Sequence, residues 1–332
     1  MNTTLKSQED KPPFGPKYVR RAATYSADNW KPPSYLVKGW LKHGNIYSVT
    51  GMPGIGKSAV GMELSGNVTQ GRAFNGRDTK KARVLYFMGE NPDDIHERRL
   101  VMQEYGLLDP DMFDYIEDVG QPMETYIADI KATGVEYGLV IVDTDMAYYD
   151  GPDEGNLARK DWAHQLRQLT TLPGKPAVLV QCHPSASSKD FSPAGGKQFL
   201  AQLDGNATLK RKNGAVILEK HETKWRGAYW EPITFEILPL DSQELRTQEG
   251  DPISIGRAVE VDIEECLVGP SEKPSRASPK AAMVQAYVRD NPGCRFSDIK
   301  KATGINSDTT ISKALQNWAT KEDGCYSAPV VN

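Results

Sequence analysis

Cysteine is scarce in this chain, and the few cysteines are far apart. They are Cys182, Cys266, Cys294 and Cys325, with no C-x-x-C pair among them. This spacing argues against a disulfide framework and against a zinc site. It fits a protein that folds in a reducing compartment, and we therefore expect a cytoplasmic location.

The sequence also lacks a long apolar run and an excess of positive charge. No stretch approaches the roughly 18 apolar residues of a membrane-spanning helix. The polar start, MNTTLKSQEDKPPFGPK, lacks the apolar core of a signal peptide, and we expect no membrane partner. The formal net charge of −4 excludes a uniformly basic nucleic-acid coat, so any nucleic-acid contact has to come from local patches.

Short apolar runs alternate with helical patterns through most of the chain. The runs that read as strands are NIYSVTG (45–51), ARVLYFMGE (82–90), YGLVIVDT (137–144), KPAVLVQCH (175–183) and GAVILEKHE (214–222). Helical patterns lie between several of them, at 57–71, 93–105 and 156–170. This alternation predicts an α/β fold with a mostly parallel sheet covered on both faces, and PITFEI (232–237) is expected to add an antiparallel edge.

The stretch GMPGIGKS at residues 51–58 has the spacing Gly-x-x-x-x-Gly-Lys-Ser and stands between a strand pattern and a helical pattern. Glycines let backbone N–H groups face phosphates, and the positive end of the following helix adds to the attraction. In such a loop Lys57 reaches the β- and γ-phosphates, and the Ser58 hydroxyl binds Mg²⁺. We therefore predict a site for a nucleotide with Mg²⁺, formed by Gly51, Met52, Pro53, Gly54, Ile55, Gly56, Lys57, Ser58 and Ala59.

Polar residues at the ends of three further strands are candidates for the rest of the site. Asp143 ends the run LVIVD and is expected to support Mg²⁺, with Asp145 as a weaker competitor. Glu90 ends the second strand, where an acid is a candidate general base for the attacking water, with helix capping as the alternative. Gln181 and His183 end the fourth strand, where a polar side chain could sense the γ-phosphate.

With these strand ends in order, the chain resembles the RecA-type ATPases. Within that group it looks most like the RepA-like plasmid and phage helicases, relatives of the DnaB replicative helicases. The resemblance covers roughly residues 30–238 and rests on GMPGIGKS, MGEN, LVIVDT, VLVQCHPSASS and KWRG. It implies a RecA-like core, ATP and Mg²⁺ as cofactors, and a homo-oligomer, most often a hexamer.

The resemblance also implies roles for single residues at the strand ends. Glu90 matches the catalytic base, Asp143 the acid that supports Mg²⁺, and His183 the phosphate-sensing histidine. Two departures bear on these roles. Asn91 follows Glu90, where the family often has a second acid, and Gln181 is the alternative sensor, as in RecA itself.

A basic residue after the fifth strand reaches the neighbouring subunit's ATP site in that family. Lys224 and Arg226 fit the Lys-x-Arg pattern, with Arg226 the better candidate for an arginine finger and Lys220 an alternate. A planar guanidinium supplied by a neighbour neutralises γ-phosphate charge only once the subunits have assembled. A solvated hairpin turn is the competing interpretation of this segment.

Three segments are candidates for contact with single-stranded DNA. The resemblance places the loops at 145–161 and 184–198 at a central channel. The first contains more acid than base, which counts against it as a phosphate binder, and the second offers Lys189, Lys197 and Phe191 for backbone contact and base stacking. The stretch ATLKRKN (207–213), which contains Lys210 and Arg211, is the densest basic spot in the ATPase domain. It has the composition of a turn between strands.

Changes in composition and pattern along the chain predict four segments. They are a flexible arm (1–28), a RecA-like ATPase domain (29–240), an acidic and Pro/Ser-rich linker (241–279), and a small helix-turn-helix or winged-helix domain (280–332). In the last domain, 307–321 is the expected recognition helix, which would place in a DNA groove the residues Thr309, Thr310, Ser312, Lys313 and Gln316. Docking to a protein partner in replication initiation is the alternative.

Three functions remain open on the sequence alone. The first is an ATP-driven, ring-forming helicase or translocase on single-stranded DNA in plasmid, phage or mobile-element replication. The second is a recombination or repair ATPase of the RecA or KaiC kind, which forms filaments. The third is a regulatory or loader ATPase whose C-terminal domain binds DNA or a partner.

Overall fold

A computed structural model describes residue 27 and residues 30–151, 156–185, 191–226, 229–261, 279–305, 307–315, 319–322 and 325–327. The predicted N-terminal arm therefore lies almost entirely outside the described residues. The chain divides into two compact units, Met1–Leu267 and Val268–Asn332. Among the described residues, no helix is long and apolar enough to cross a membrane.

A nine-stranded sheet forms the centre of the first unit, beside a small separate ladder of β1 (Tyr35–Val37) and β2 (Leu41–Lys42). The strands of the large sheet are β3 (Ile46–Gly51), β4 (Val84–Met88), β5 (Phe113–Ile116), β6 (Leu139–Asp143), β7 (Ala177–Cys182), β8 (Gly205–Lys212), β9 (Ala215–Trp225), β10 (Ile233–Arg246) and β11 (Pro252–Val261). They lie in the order β11-β10-β9-β8-β3-β7-β6-β4-β5. The pairs from β5 to β8 are parallel, and those from β8 to β11 are antiparallel.

Helices cover both faces of this sheet. They are α1 (Lys57–Gln70), α2 (Pro92–Glu104), α3 (Met123–Thr133), α4 (Asn156–Gln168) and α5 (Gly196–Ala201). Because successive side chains of a strand point to opposite faces, the sheet contributes to two apolar cores. One core is shared with α1 and α2 and the other with α3, α4 and α5. The predicted α/β fold, with a mostly parallel sheet between helices, is confirmed.

The parallel strand that follows β7 in the chain is not the one that the sequence suggested. The stretch 207–213, which has the composition of a turn, forms most of β8 and pairs in parallel with the strand that leads into the phosphate loop. The apolar run 214–222 forms β9, which returns antiparallel to β8. The basic end of β8 reads as a turn because that end of the strand is exposed at the surface, where apolar residues are not required.

The segment 241–279, predicted as a linker, begins with sheet rather than coil. β10 continues to Arg246, and β11 pairs with it along the edge of the sheet, so 232–237 is not the edge. Ile255 and Ala258 of β11 are buried in the core shared with α1 and α2. The composition of 241–279 as a whole hides this strand, because β11 is stabilised by its pairing with β10 and by core contacts that an average over the segment does not reveal.

The described residues of the second unit form three helices and a small antiparallel sheet. The helices are α6 (Pro279–Asp290), α7 (Phe296–Thr303) and α8 (Asp308–Leu315), and the strands are β12 (Cys294–Arg295), β13 (Thr320–Glu322) and β14 (Cys325–Ser327). Buried residues of all three helices, including Val284, Ile299 and Ile311, share one apolar core. The recognition helix predicted over 307–321 is shorter than expected, since α8 ends at Leu315 and residues 320–322 are in a strand.

Candidate active site

The phosphate-loop sequence lies between the end of β3 at Gly51 and the start of α1 at Lys57. Gly56 has a φ of 108°, a left-handed conformation that favours glycine. At Gly51 a Cβ atom would lie 2.9 Å from the Ile55 side chain and 3.1 Å from that of Leu209, so only glycine fits. The loop is thus closely packed, and the N-terminal end of α1 faces the space where phosphates would bind.

Lys57 is turned back into this loop and is largely buried. Its Nζ donates to the carbonyl oxygen of Gly51 at 3.1 Å and lies 3.4 Å from Nδ1 of His183. Burial lowers the pKa of the Lys57 ammonium, and the nearby carboxylates of Glu90 and Asp143 oppose that change. The two carboxylates therefore help to keep the cation charged where a phosphate would need it.

His183 connects Lys57 to Glu90. Its Nε2 lies 3.3 Å from Oε2 of Glu90, on the opposite side of the ring from the lysine. Because an ammonium can only donate, the contact with Lys57 assigns the acceptor role to Nδ1 and the proton to Nε2, which then donates to the Glu90 carboxylate. The candidate base and the candidate sensor, which are far apart in sequence, are thus in direct contact.

Asp143 lies beside the loop, at the end of β6, and is buried. The Tyr86 hydroxyl donates to its Oδ2 at 2.7 Å, and Ser58 also forms a side-chain hydrogen bond with it. Burial raises the pKa of the Asp143 carboxyl, and these two hydrogen bonds act against the rise. A serine hydroxyl next to a carboxylate fits Mg²⁺, which is usually held by one or two protein oxygens together with substrate phosphates.

Gln181 occupies a different position from His183. It is 1% exposed and packs under α1, where a Cβ atom on Gly61 would lie 2.3 Å from its Nε2. His183 lines the cleft in front of the phosphate loop, together with Glu90 and Asp143. The geometry therefore favours His183 over Gln181 as the side chain that would meet a γ-phosphate.

The cleft in front of the loop has a volume of about 370 Å³ and includes residues that the sequence did not assign to a nucleotide site. These are Asn91, Asp94, Ile95, Arg98, Arg211, Ile237 and Gly256. The sequence predicts Arg211 as a DNA contact, but it shares a face of β8 with Leu209, which packs against Gly51. Alternation along 207–212 is the signal that reveals this position once the segment is recognised as a strand.

Asp145, the competitor of Asp143, is engaged elsewhere. Its carboxylate is fully buried and forms an ion pair with Arg159 of α4, which is also fully buried. Burial raises the pKa of Asp145, and the Arg159 guanidinium opposes the rise. Asp143 is therefore the acid that faces the cleft, and the pair of Asp145 and Arg159 belongs to the layer behind it.

The arginine-finger candidates lie at the other end of the sheet. Trp225 pairs with Gly205 of β8, and Gly205 pairs with Tyr47 of β3. Since a strand advances about 3.3 Å per residue and Arg226 lies one residue beyond Trp225, Arg226 is on the order of 16 Å from Gly51 along the strands. Its side chain is 65% exposed and lies 3.9 Å from Asp204, while burial lowers the pKa of Lys224.

Some of the predicted DNA contacts lie near one another on the opposite face of β8 from Arg211. The Nζ of Lys210 is 5.4 Å from the centre of the Phe191 ring and forms an ion pair with Glu219. Lys197 is exposed on α5. Lys220, the alternate finger, lies over the ring of Tyr229 at 4.1 Å. Lys189 and the side chain of Lys313 lie outside what the structure describes.

Three comparisons with known proteins bear on this site. No curated protein matches the chain. Among solved structures, one ATPase domain is similar at 12% identity, over 58% of this chain and 81% of that one, with a TM-score of 0.44. The family model of the AAA domain matches residues 18–189, which are more than half of the chain and include the phosphate loop, Glu90, Asp143 and His183. The chain therefore belongs to the AAA domain family.

Proposed function

We propose that the protein is an ATP-driven, ring-forming motor that moves on single-stranded DNA and acts as a helicase. The observation that carries the proposal is the meeting of Lys57, His183 and Glu90 beside Asp143 in one cleft. These are the groups that hydrolysis of a nucleoside triphosphate requires: a cation for the phosphates, a base for water and an acid beside the metal.

In the proposed reaction, Glu90 accepts a proton from the attacking water. Lys57 exchanges the carbonyl oxygen of Gly51 for phosphate oxygens, and the Nε2–H of His183 holds Glu90 in position. Mg²⁺, held by Ser58 and supported by Asp143, would neutralise charge on the phosphates. The Tyr86 hydroxyl donates to Asp143 and so favours the ionised carboxylate that this role requires.

Assembly into a ring is proposed because the finger candidates cannot serve their own cleft. Arg226 is exposed at the opposite end of the sheet from Gly51, so its guanidinium is available to another subunit and not to the phosphate loop of its own. A motor with such a composite site hydrolyses ATP only when subunits are adjacent. A hexamer is the assembly that the resemblance to RepA-like helicases suggests.

Single-stranded DNA is the proposed track. Phe191 and Lys210 lie together at the end of the loop after β7 and on the neighbouring strand β8, and an aromatic ring next to a cation suits stacked bases with a charged backbone. The small C-terminal unit, with its three helices and a β-ladder, is proposed as a winged helix that binds duplex DNA or a replication partner.

Unwinding of a forked duplex, measured with and without ATP and combined with electron microscopy of the assembly, tests this function. A closed ring with ATP-dependent unwinding is the expected result. Helical filaments that exchange strands would instead favour a recombination ATPase. ATP hydrolysis that does not respond to single-stranded DNA would contradict both and leave a regulatory or loader ATPase.

A further inference from the structure

Arg159 of α4 carries a charged side chain that is completely buried. Its exposure is 0%, as is that of its ion-pair partner Asp145. The guanidinium also lies over two aromatic rings, 4.8 Å from the centre of Tyr149 and 5.0 Å from that of Phe199. Burial of an ion pair is costly, and apolar side chains would often be as stable, so stability alone does not explain this arrangement.

The contacts of Arg159 join two loops that are separate in sequence. Asp145 and Tyr149 belong to the loop that follows β6. Nη2 of Arg159 also donates to the carbonyl oxygen of Ala194 at 3.4 Å, in the loop that follows β7. A single planar guanidinium thus bonds to both loops at once, which a point charge on a flexible stem cannot do in the same way.

Each of these loops is tied to a residue of the nucleotide cleft. Asp145 follows Asp143 by two residues. The backbone N–H of Ala194 donates to the carbonyl oxygen of His183 at 3.1 Å. Arg159 therefore contacts Ala194 and Asp145 directly. Ala194 is bonded to His183, and Asp145 follows Asp143 in the chain, so each contact leads to a candidate active-site residue.

Gly195 shows that the fit around Arg159 is close. Its φ of 83° is left-handed, and a Cβ atom there would lie 2.5 Å from the Cβ of Arg159. Any other residue would push the loop away from α4 or strain the backbone. The loop after β7 can lie against Arg159 because a glycine stands at this position.

We propose that Arg159 is a positioning residue that holds the loops 145–151 and 191–195 as one unit and so sets His183 towards the γ-phosphate. Arg159 does not touch the substrate and acts through Ala194 and Asp145. The proposal rests on the proposed ATP site. Because both loops are tied to one guanidinium, a change at His183 on nucleotide binding moves the two loops together, including the end that carries Phe191.

Amide hydrogen exchange with and without a non-hydrolysable ATP analogue tests the proposal without any need for DNA. The variant is Arg159→Lys, which keeps the charge and loses the planar fork. The matched control is Arg167→Lys on the same helix, because Arg167 donates to Gln202 and pairs with Asp204, away from both loops. Exchange is followed in peptides that cover 51–59, 145–151 and 191–199.

In the wild type and in Arg167→Lys, the analogue is expected to slow exchange in all three segments. In Arg159→Lys, protection of 51–59 should persist, and protection of the two loops should fall by about fivefold or more, since opening is local. The kcat for ATP should fall on the order of 10- to 100-fold with little change in KM, because binding survives and His183 is misplaced.

Loop protection in Arg159→Lys equal to that in Arg167→Lys would overturn the proposal and leave the ATP site intact. If the wild type shows no protection of 51–59, the ATP site itself fails and the proposal fails with it. Should Arg159→Lys not fold, Tyr149→Leu removes one ring from the guanidinium and leaves the ion pair. It is expected to weaken the protection of both loops in the same direction, and unchanged protection there would also overturn the proposal.

Discussion

The two ends of the central sheet differ in how deeply they bury a cationic side chain. At the end that carries the phosphate loop, Lys57 is 7% exposed and is held by backbone oxygens and by His183. At the other end, Arg226 is 65% exposed and lies 3.9 Å from Asp204. Lys57 is buried among groups of its own subunit, whereas Arg226 is mostly exposed and makes a long ion pair with Asp204.

The difference follows from how the strands run. Parallel strands bring their carboxyl ends to the same edge, and Asp143, Glu90 and His183 gather there. The hairpin of β8 and β9 reverses the chain, so Arg211 lies at the phosphate-loop end and Arg226 at the other. A site completed by a neighbour needs such a division, because an arginine finger has to reach out of its own subunit.

The largest expected effect is at the phosphate-loop end. Lys57→Ala should lower ATP turnover by at least about 10³-fold, because the cation between the phosphate loop and Glu90 is lost. Steady-state ATPase assays measure this, with Lys38→Ala as the control, since Lys38 forms an exposed ion pair with Asp78 far from the cleft. Turnover that persists in Lys57→Ala would contradict the assignment of the site.

Arg226→Ala tests the opposite end of the sheet and should have the next largest effect on ATP turnover. We expect kcat to fall by about 10³-fold, the effect typical of an arginine finger, with ATP binding unchanged, because in the proposed ring the guanidinium acts on the neighbour's nucleotide. Binding of a fluorescent nucleotide and hydrolysis are measured on the same preparation.

Mixing Arg226→Ala with Lys57→Ala sharpens the comparison. A mixed ring contains some sites with an intact Lys57 in one subunit and an intact Arg226 in the next, so part of the activity should return. Absence of any recovery in assemblies that are shown to be mixed would argue that Arg226 works within its own subunit or not at all.

A third substitution, at Tyr86, changes the pH dependence of activity at the phosphate-loop end of the sheet alone. Tyr86→Phe removes the hydroxyl that stabilises ionised Asp143, so the pKa of Asp143, already raised by burial, rises further. Activity requires the carboxylate and is lost as pH falls through that pKa, so the acidic limb of kcat should move up by about one pH unit. The control is Tyr137→Phe. Tyr137 lies just before β6 and its hydroxyl donates to Asp114 of β5, so the acidic limb of the kcat profile should not move in this variant.

The features that could be predicted from the sequence are those encoded by a local pattern of residues. The phosphate loop, the strands that end at Glu90, Asp143 and His183, and the α/β class follow from short apolar runs and glycine spacing. Features set by distant partners were not predictable in this way. β11 lies in a segment that is acidic and Pro/Ser-rich as a whole, and its pairing with β10 makes it a strand. Arg159 looks like one more charged residue of a helix, and only its contacts with Asp145 and Ala194 distinguish it.

The basic run Lys210–Lys212 shows the same limit and gives the smallest expected effect. As a patch it suggests DNA, but the pleat of β8 sends Lys210 towards Phe191 and Arg211 into the nucleotide cleft. Arg211→Ala should therefore raise KM for ATP by about three- to tenfold, the loss of one exposed charge contact, and leave DNA affinity unchanged. Lys210→Ala on the adjacent residue should do the reverse. ATP titrations measure KM, and fluorescence anisotropy with a labelled oligonucleotide measures DNA affinity. A loss of DNA affinity in Arg211→Ala would show that Arg211 contacts DNA and would contradict its assignment to the nucleotide cleft.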